Sequence, residues 1–370
     1  MYFLGGQARP DRLLFYWMNE TTDPFTVSPH VFADGLPEIA TLADFIRVQG
    51  AASLALRAAA DELRREIHGD AVFLRGIIEF SNYCCNRCAY CGINIDNEAV
   101  ERYRMTPQEV LETARNALRW GCGTVVLQSG DDPGYGIERL ADLVRKIKTG
   151  LGLAVTLSVG VLEREELAML KEAGADRYLL RFETSDPQLF ARIHPDESFE
   201  RRLRCLHDLH ELGYQVGSGF MIALPGATPE SIAADILFAT SLKLDMIGCG
   251  PFMASPGTPL ADAGRAEQTD LYYNVMALLR LCNPPAHIPA TTAFDTLDHD
   301  GRNRVLQGGA NVFMPNLTPA RFREHYQLYP NKPCVDEYGE ACAFCVRGRV
   351  AALGRTIDAG PGHSKLQAVE

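Results

Sequence analysis

Residues 77–92 read IIEFSNYCCNRCAYCG, and this stretch indicates both the fold class and the chemistry of the chain. Its apolar start is typical of a strand, and the loop that follows carries Cys84, Cys88 and Cys91 in the spacing C-x3-C-x2-C. Soft sulfur ligands select iron–sulfur or zinc chemistry, and three thiolates on one short loop suit three corners of a cubane cluster. The fourth iron is then open to a small molecule. The stretch therefore predicts a 4Fe–4S site directly after a strand.

Two other metal sites fit the spacing less well. Tetrahedral zinc normally takes a fourth nearby Cys or His, and none lies within about fifteen residues after Cys91. A ferredoxin-like site that used Cys85 would need a further Cys-Pro pair at Ile95, which is absent. Cys85 is therefore interpreted as a bystander.

Composition places the chain among ordinary globular proteins. Of its 370 residues, 46% are hydrophobic and 22% are charged, and the net charge of −11 argues against a nucleic-acid partner. No apolar run approaches the ~20 residues that span a bilayer, and residues 1–12 lack a basic region followed by an apolar one. Not counting Cys85, six of the eleven cysteines fall into two tight groups, which is typical of metal binding in a reducing compartment. We therefore expect a cytoplasmic protein that does not insert into membranes.

From residue 73 onward, short runs rich in branched residues alternate with amphipathic helical segments. This alternation predicts parallel strands with crossover helices, and eight strands are the number that closes a (βα)8 TIM-type barrel. The alternative is an open, doubly wound sheet. In a barrel the chemistry lies after the C-terminal ends of the strands, so the cysteine loop would cap the mouth. The strand candidates are residues 73–80, 124–128, 154–158, 177–182, 215–222, 246–249, 287–291 and 311–314.

The chain is predicted to have three parts. Residues 1–70 form an irregular N-terminal extension and two helices, residues 71–316 form the barrel, and residues 317–370 form a C-terminal segment. That segment contains Cys334, Cys342 and Cys345, whose spacing suggests a second metal site. Zinc or free thiols remain the alternative interpretation.

Several polar residues at predicted strand ends are candidates for binding a cofactor or substrate. Arg181 and Glu183 point to one side of an extended chain and could hold a zwitterion. Arg202 could reach a carboxylate from the following helix, although a solvated helix face is equally consistent. The other candidates are Gln128, Ser129, Gly130 and Asp131 after the second strand, Thr291 and Thr292 after the seventh, and Met246 and Met314 as cavity lining. Simple turns, strand-end caps or core methionines would explain the same residues.

Taken together, these motifs resemble the radical S-adenosylmethionine (SAM) maturases of FeFe-hydrogenase, the HydE family. The resemblance rests on residues 77–82, 103–107, 126–130, 174–181, 288–292 and 309–312 and on the tail cysteines, and it runs from about Asp70 to about Cys345. Departures from the family pattern are Cys85, the acidic Asp131 where Glu is more familiar, and the long N-terminal extension.

The resemblance implies a sealed barrel in which SAM binds the open iron of the 4Fe–4S cluster. An external one-electron reductant would then allow formation of a 5'-deoxyadenosyl radical. Tyr90 would pack near the adenine. Gln128, Ser129, Glu183 and Arg202 would bind SAM, and Thr291 and Thr292 would line the substrate site. The tail cysteines would hold an accessory 2Fe–2S or 4Fe–4S cluster.

The substrate implied by the resemblance is a cysteine-bound iron carbonyl cyanide complex. The partner HydG would supply it, and the product would pass to the scaffold HydF for assembly of the hydrogenase H-cluster. Alternatives within the superfamily are enzymes similar to methylornithine synthase or biotin synthase, which act on small organic molecules. An alternative from another class is a non-catalytic iron–sulfur carrier.

Overall fold

The computed structural model describes residues 26–264, 266, 268–333 and 339–366. Most of the predicted irregular extension therefore lies outside the described residues. The two predicted helices are present as α1, Ile39–Arg47, and α2, Ala51–His68. Their apolar faces pack on two later helices of the chain, and Ser53 Oγ donates a buried hydrogen bond of 2.6 Å to Asn274 Oδ1.

Eleven strands and eleven further helices follow in the described residues. The strands are β1 Ala71–Ser81, β2 Thr124–Ser129, β3 Ala154–Ser158, β4 Arg177–Leu179, β5 Gln215–Ser218, β6 Met221–Ile222, β7 Met246–Ile247, β8 Gly250–Pro251, β9 Pro289–Ala290, β10 Val312–Phe313 and β11 Thr356–Asp358. The helices are α3 Pro107–Trp120, α4 Ile137–Leu151, α5 Arg164–Glu172, α6 Pro187–Ile193, α7 Phe199–Glu211, α8 Pro229–Ser241, α9 Thr269–Cys282, α10 Ala293–Leu297, α11 Gly301–Leu306, α12 Ala320–Arg323 and α13 Gly339–Ala352.

Eight of the strands form a ring. All neighbours are parallel in the order β7, β5, β4, β3, β2, β1, β10, β9, and a parallel bridge between Met246 and His287 joins the two ends. The backbone N–H of His287 donates a hydrogen bond to Asp245 O, and His287 O accepts a hydrogen bond from Ile247 N, both at 2.9 Å. The predicted (βα)8 barrel is confirmed. The open-sheet alternative is wrong, because these bonds leave no free edge at the seam.

Side chains alternate across the barrel wall as the pleat of a strand requires. Val125 and Leu127 of β2 belong to the large core between the strands and the outer helices. Val126, between them, packs inside the barrel against Val312 and Met314. The apolar strand runs of the sequence are therefore buried on both faces, as expected for a parallel barrel.

Local signals in the sequence fix the crossover helices. The predicted capping box of α3 is present, because Thr106 Oγ1 accepts from Glu109 N at 3.3 Å and Glu109 Oε2 accepts from Thr106 N at 2.7 Å. Gly121 ends α3 in the left-handed conformation with φ of 76°. The predicted strand 215–222 is instead split into β5 and β6 around Gly219, which passes so close to Gly248 O that a Cβ would lie 2.1 Å away.

The C-terminal segment closes the lower end of the barrel. Strand β11 pairs in parallel with β1, placing Ala71 opposite Thr356. The chain then crosses the barrel floor, where Arg177 Nη2 donates to Pro361 O at 2.6 Å and to Gly362 O at 3.0 Å. Burial lowers the pKa of Arg177 to about 10. These contacts lie at the N-terminal ends of the strands, away from the end that carries the cysteine loop.

We expect Arg177→Ala to lower the free energy of unfolding by about 3 kcal/mol, because hydrogen bonds from a charged donor are lost and buried carbonyls remain unpaired. Chemical denaturation followed by circular dichroism measures this change. Arg119→Ala, at an exposed position of α3, should stay within about 0.5 kcal/mol of the wild type. Equal stabilities of the two variants would contradict the role given to the floor contacts.

No single helix in the described part of the chain is long and apolar enough to cross a membrane. Helices α1 and α2 pass that test only as a pair, and they are bent by 117° relative to each other.

Candidate active site

The three predicted cluster cysteines lie on the loop that leaves β1 at the mouth of the barrel. Arg102 holds this loop in shape: its Nη1 donates to Asn82 O at 2.7 Å and to Ile93 O at 2.8 Å, and its Nη2 donates to Asn94 O at 2.5 Å. Cys84, Cys88 and Cys91 are half-buried and all line one cavity of about 360 Å³. Cys85, in contrast, is exposed and does not line that cavity, in keeping with its interpretation as a bystander.

The chemistry of this donor set fits an iron–sulfur cluster. Burial raises the pKa of Cys84 to about 11 and that of Cys91 to about 12, so bare thiolates are unfavourable here. Only a bound cation that replaces the protons makes three neighbouring thiolates favourable in such a place. Three soft ligands on one side of a cavity leave the other side open for a further ligand.

The end of β2 packs directly against the cysteine loop. Gly130 N donates to Ser81 O at 3.2 Å, and Cys85 N donates to Asp131 O at 3.0 Å. The Asp131 carboxylate accepts a hydrogen bond of 2.7 Å from Asn86 Nδ2, and burial raises the pKa of Asp131. The predicted residues Gln128, Ser129, Gly130 and Asp131 all line the cavity.

Arg181 and Glu183 also face the cavity, and their charged atoms are incompletely paired. Arg181 Nη2 and Glu183 Oε2 lie 3.0 Å apart, but their alignment does not make a hydrogen bond, and Arg181 Nε also lacks a partner among the described residues. Glu183 adopts a left-handed backbone with φ of 67°, which is strained for a side chain of this kind. Buried charges left in this state fit a ligand that carries both an ammonium and a carboxylate, as the methionine part of SAM does.

Arg202 lines the cavity but is already paired. Its Nε donates to Glu197 Oε1 at 2.6 Å, its Nη2 pairs with the other oxygen of the same carboxylate, and its Nη1 donates to Arg181 O at 2.5 Å. Burial by itself lowers the pKa of Arg202, but the Glu197 carboxylate outweighs this and raises it. The sequence contained no sign of this pairing.

His194 is a cavity residue that the sequence analysis missed. It caps the end of α6, and its ring lies between Cys88 and Tyr90, the predicted adenine neighbour. Burial, with a further contribution from Arg202 and Arg181, holds its pKa well below the ordinary histidine value. Its position depends on a turn between two helices, for which a lone histidine gives no signal.

With one exception, the predicted substrate residues lie in the same cavity. Thr291, Thr292 and Met314 line the cavity, and the Thr292 and Tyr329 hydroxyls are 2.8 Å apart. Met246 is not among the lining residues, so its prediction is wrong. It lies lower in the barrel, where its sulfur is 2.8 Å from Arg75 Nη1.

A buried ion pair completes the mouth. Lys332 Nζ binds Glu79 Oε1 and donates to Tyr326 O at 3.1 Å, while Asn316 Nδ2 donates to Glu79 Oε2 at 3.0 Å. Glu79 and Lys332 are separated by most of the barrel sequence, which is why sequence patterns did not reveal Lys332. The network ties the chain after the last barrel strand to β1, beside the cysteine loop.

The structure describes only part of the predicted accessory site. Cys334 lies outside the described residues, and Cys342 is known only as a position in helix α13. Cys345 is exposed and lies at the rim of the same cavity. The accessory cluster therefore stays a prediction.

Comparison with known proteins identifies the family. Residues 78–239 match the model of the Radical SAM superfamily. The chain is 50% identical over 296 residues to the "[FeFe] hydrogenase maturase subunit HydE" of Thermotoga maritima, covering 80% of this chain and 84% of that protein. The chain belongs to the HydE family of radical SAM enzymes. Membership implies a 4Fe–4S cluster and SAM, and the non-catalytic carrier alternative is set aside.

Two other similarities are more distant. The chain is 32% identical over 255 residues to the 3-methylornithine synthase of Methanosarcina acetivorans, covering 68% of this chain and 71% of that protein. The crystal structure of methylornithine synthase (PylB) superposes with a TM-score of 0.76 at 27% identity, covering 86% of this chain and 94% of that one. HydG from Carboxydothermus hydrogenoformans, with a TM-score of 0.73 at 18% identity, covers 88% of this chain and 76% of that chain and shares the fold.

Proposed function

We propose that this HydE-family protein processes a cysteine-bound iron carbonyl cyanide complex during assembly of the FeFe-hydrogenase H-cluster. The observation that carries the proposal is one barrel cavity lined by three cysteines together with hydroxyl and apolar side chains. The 50% identity to a hydrogenase maturase supports the choice of substrate. HydG as the supplier, HydF as the receiver and an external one-electron reductant belong to the same proposal.

The roles of individual residues follow from where they lie. Cys84, Cys88 and Cys91 would hold the cluster, and Arg181 and Glu183 would hold the methionine end of SAM, with Asp131, Gln128, Ser129 and Gly130 on the adjoining strand end. One-electron cleavage of SAM to methionine and a 5'-deoxyadenosyl radical is the chemistry that the bound cofactors supply. Residues 71–316 form the unit that we assign to this chemistry.

The cavity walls would control what reacts. Thr291, Thr292 and Met314 line the cavity, and so does the buried Glu79–Lys332 pair. A primary carbon radical reacts unselectively, so a substrate must be fixed in a cavity that excludes water. The C-terminal residues 334, 342 and 345 would hold an accessory cluster outside this reaction space.

The proposal is tested anaerobically with reconstituted full-length protein, SAM, dithionite and the synthetic cysteinyl iron carbonyl cyanide complex. We expect 5'-deoxyadenosine, a new iron-centred electron paramagnetic resonance (EPR) signal that requires SAM, and activation of an apo-hydrogenase when the other maturases are added. Omission of the iron complex is the control. If SAM is cleaved while the complex stays intact, the substrate is a small organic molecule, as the methylornithine synthase relatives suggest.

We expect Glu183→Gln to weaken SAM binding by about 10- to 100-fold, because a hydrogen bond between charged groups is worth about 1.5–3 kcal/mol. Equilibrium dialysis with radiolabelled SAM on the reconstituted protein measures the affinity. Glu165→Gln, an exposed carboxylate on α5, is the matched control and should bind SAM like the wild type. Unchanged affinity in Glu183→Gln would remove Glu183 from the SAM site.

A further inference from the structure

His194 is held in one orientation between two residues of the cysteine loop. Its Nδ1 lies 3.3 Å from Cys88 Sγ, and its Nε2 lies 3.2 Å from the Tyr90 hydroxyl. The ring is only 4% exposed and stacks on Phe190 with centroids 4.8 Å apart and planes 12° apart. A ring packed on one face and bonded at both nitrogens cannot turn without losing all three contacts.

Metal ligation fixes the direction of these hydrogen bonds. A thiolate sulfur bound to iron carries no proton and can only accept. Nδ1 must then carry the proton and donate to Cys88, which leaves the lone pair of a neutral ring on Nε2. The Tyr90 hydroxyl therefore donates to Nε2. The result is a chain of two hydrogen bonds that runs from Tyr90 through His194 and ends on a cluster ligand.

We propose that His194 is a positioning residue that donates a hydrogen bond to the Cys88 sulfur and thereby raises the reduction potential of the cluster, with Tyr90 fixing its tautomer. This inference rests on the proposal that Cys84, Cys88 and Cys91 hold the cluster. Hydrogen bonds to cluster sulfurs tune the potential, because they stabilise the more negative, reduced state. His194 thus makes the one-electron step before SAM cleavage easier for the external reductant.

The test is an EPR-monitored redox titration of the full chain without SAM. A Cys342→Ala/Cys345→Ala background removes the signal of any accessory cluster. At the potential where the background protein is half reduced, we expect His194→Phe to lower the ratio of reduced to oxidised cluster about tenfold, which is about 59 mV for one electron. Tyr90→Phe should shift the ratio less, in the same direction. His207→Phe, at an exposed position of α7, is the matched control and should titrate like the background.

A second measurement detects the hydrogen bond itself. Electron nuclear double resonance in H2O and in D2O should show an exchangeable proton that is coupled to the reduced cluster. This proton coupling should be lost in His194→Phe. His194→Gln keeps an N–H donor and should restore part of the reduction potential. An unchanged potential and an unchanged proton coupling in His194→Phe would overturn the inference. If His194→Phe takes up no iron, the Tyr90→Phe titration tests the inference instead. An unshifted ratio of reduced to oxidised cluster in Tyr90→Phe would then overturn the inference.

The two levels of the proposal can fail separately. If Cys88→Ala keeps a full cluster in the same background, the assignment of the ligands is wrong. If Cys88→Ala loses the cluster while His194→Phe titrates like the control, the ligands stand and only the role of His194 is wrong.

Discussion

We expect Cys88→Ala to abolish SAM cleavage, with a loss of about 100-fold or more. Residues that merely support a metal ligand are worth about 10- to 100-fold in metal affinity, and Cys88 is proposed as a ligand itself. Its removal leaves two of the three proposed ligands, Cys84 and Cys91, which cannot hold three corners of a cubane. Iron content, the visible absorption of the cluster and 5'-deoxyadenosine formation measure the effect.

Cys85 offers a matched control for this experiment. It is a cysteine of the same loop, but it is exposed and does not line the cavity. Cys85→Ala should therefore keep its iron and its SAM cleavage. The assignment of the ligands fails if Cys88→Ala retains cleavage, or if Cys85→Ala loses its cluster as completely as Cys88→Ala does.

Gly130→Ala should lower cluster content and SAM cleavage at least about tenfold. A Cβ at this position would lie 2.3 Å from the Tyr83 carbonyl oxygen and 2.7 Å from Cys84 Cβ. Backbone cannot move aside as a flexible side chain can, so the loop that carries the first ligand must shift. Overpacking of this kind costs about 1–3 kcal/mol, which is enough to spoil a site that needs three sulfurs in register.

Iron analysis and single-turnover SAM cleavage measure the effect of Gly130→Ala, and a thermal melt separates local displacement from unfolding. Gly150→Ala in α4 is the control, because a Cβ there would meet nothing within 4 Å. That variant should be active and more stable by about 0.5–1 kcal/mol, since alanine is the better helix former. If Gly130→Ala binds iron and cleaves SAM like the wild type, the close packing of β2 on the cysteine loop does not matter for the cluster.

The sequence alone was sufficient for the barrel. Branched strands alternating with capped helices require parallel neighbours, and eight of them close a ring. It was also sufficient for the cysteine loop, because the ligand types and their spacing are local properties of residues 84–91. The strand-end residues Gln128, Glu183 and Thr291 could be found for a related reason: in a parallel barrel the strands' C-terminal ends meet at one mouth.

Tertiary structure decided what local patterns do not encode. Met246 was wrongly placed in the cavity, because alternation shows which face a side chain takes but not its height along the barrel axis. The path of connecting segments decides the positions of His194 and Lys332 and the pairing of Arg202 with Glu197. A shift of one residue in such a segment would change these contacts. The sequence contained no signal for the barrel floor, where the backbone carbonyls of Pro361 and Gly362 accept hydrogen bonds from Arg177. Backbone carbonyls are the same in every sequence, so no residue pattern marks them. The sequence thus determined the ring and predicted the proposed ligands, whereas the packing of distant segments decided what surrounds them.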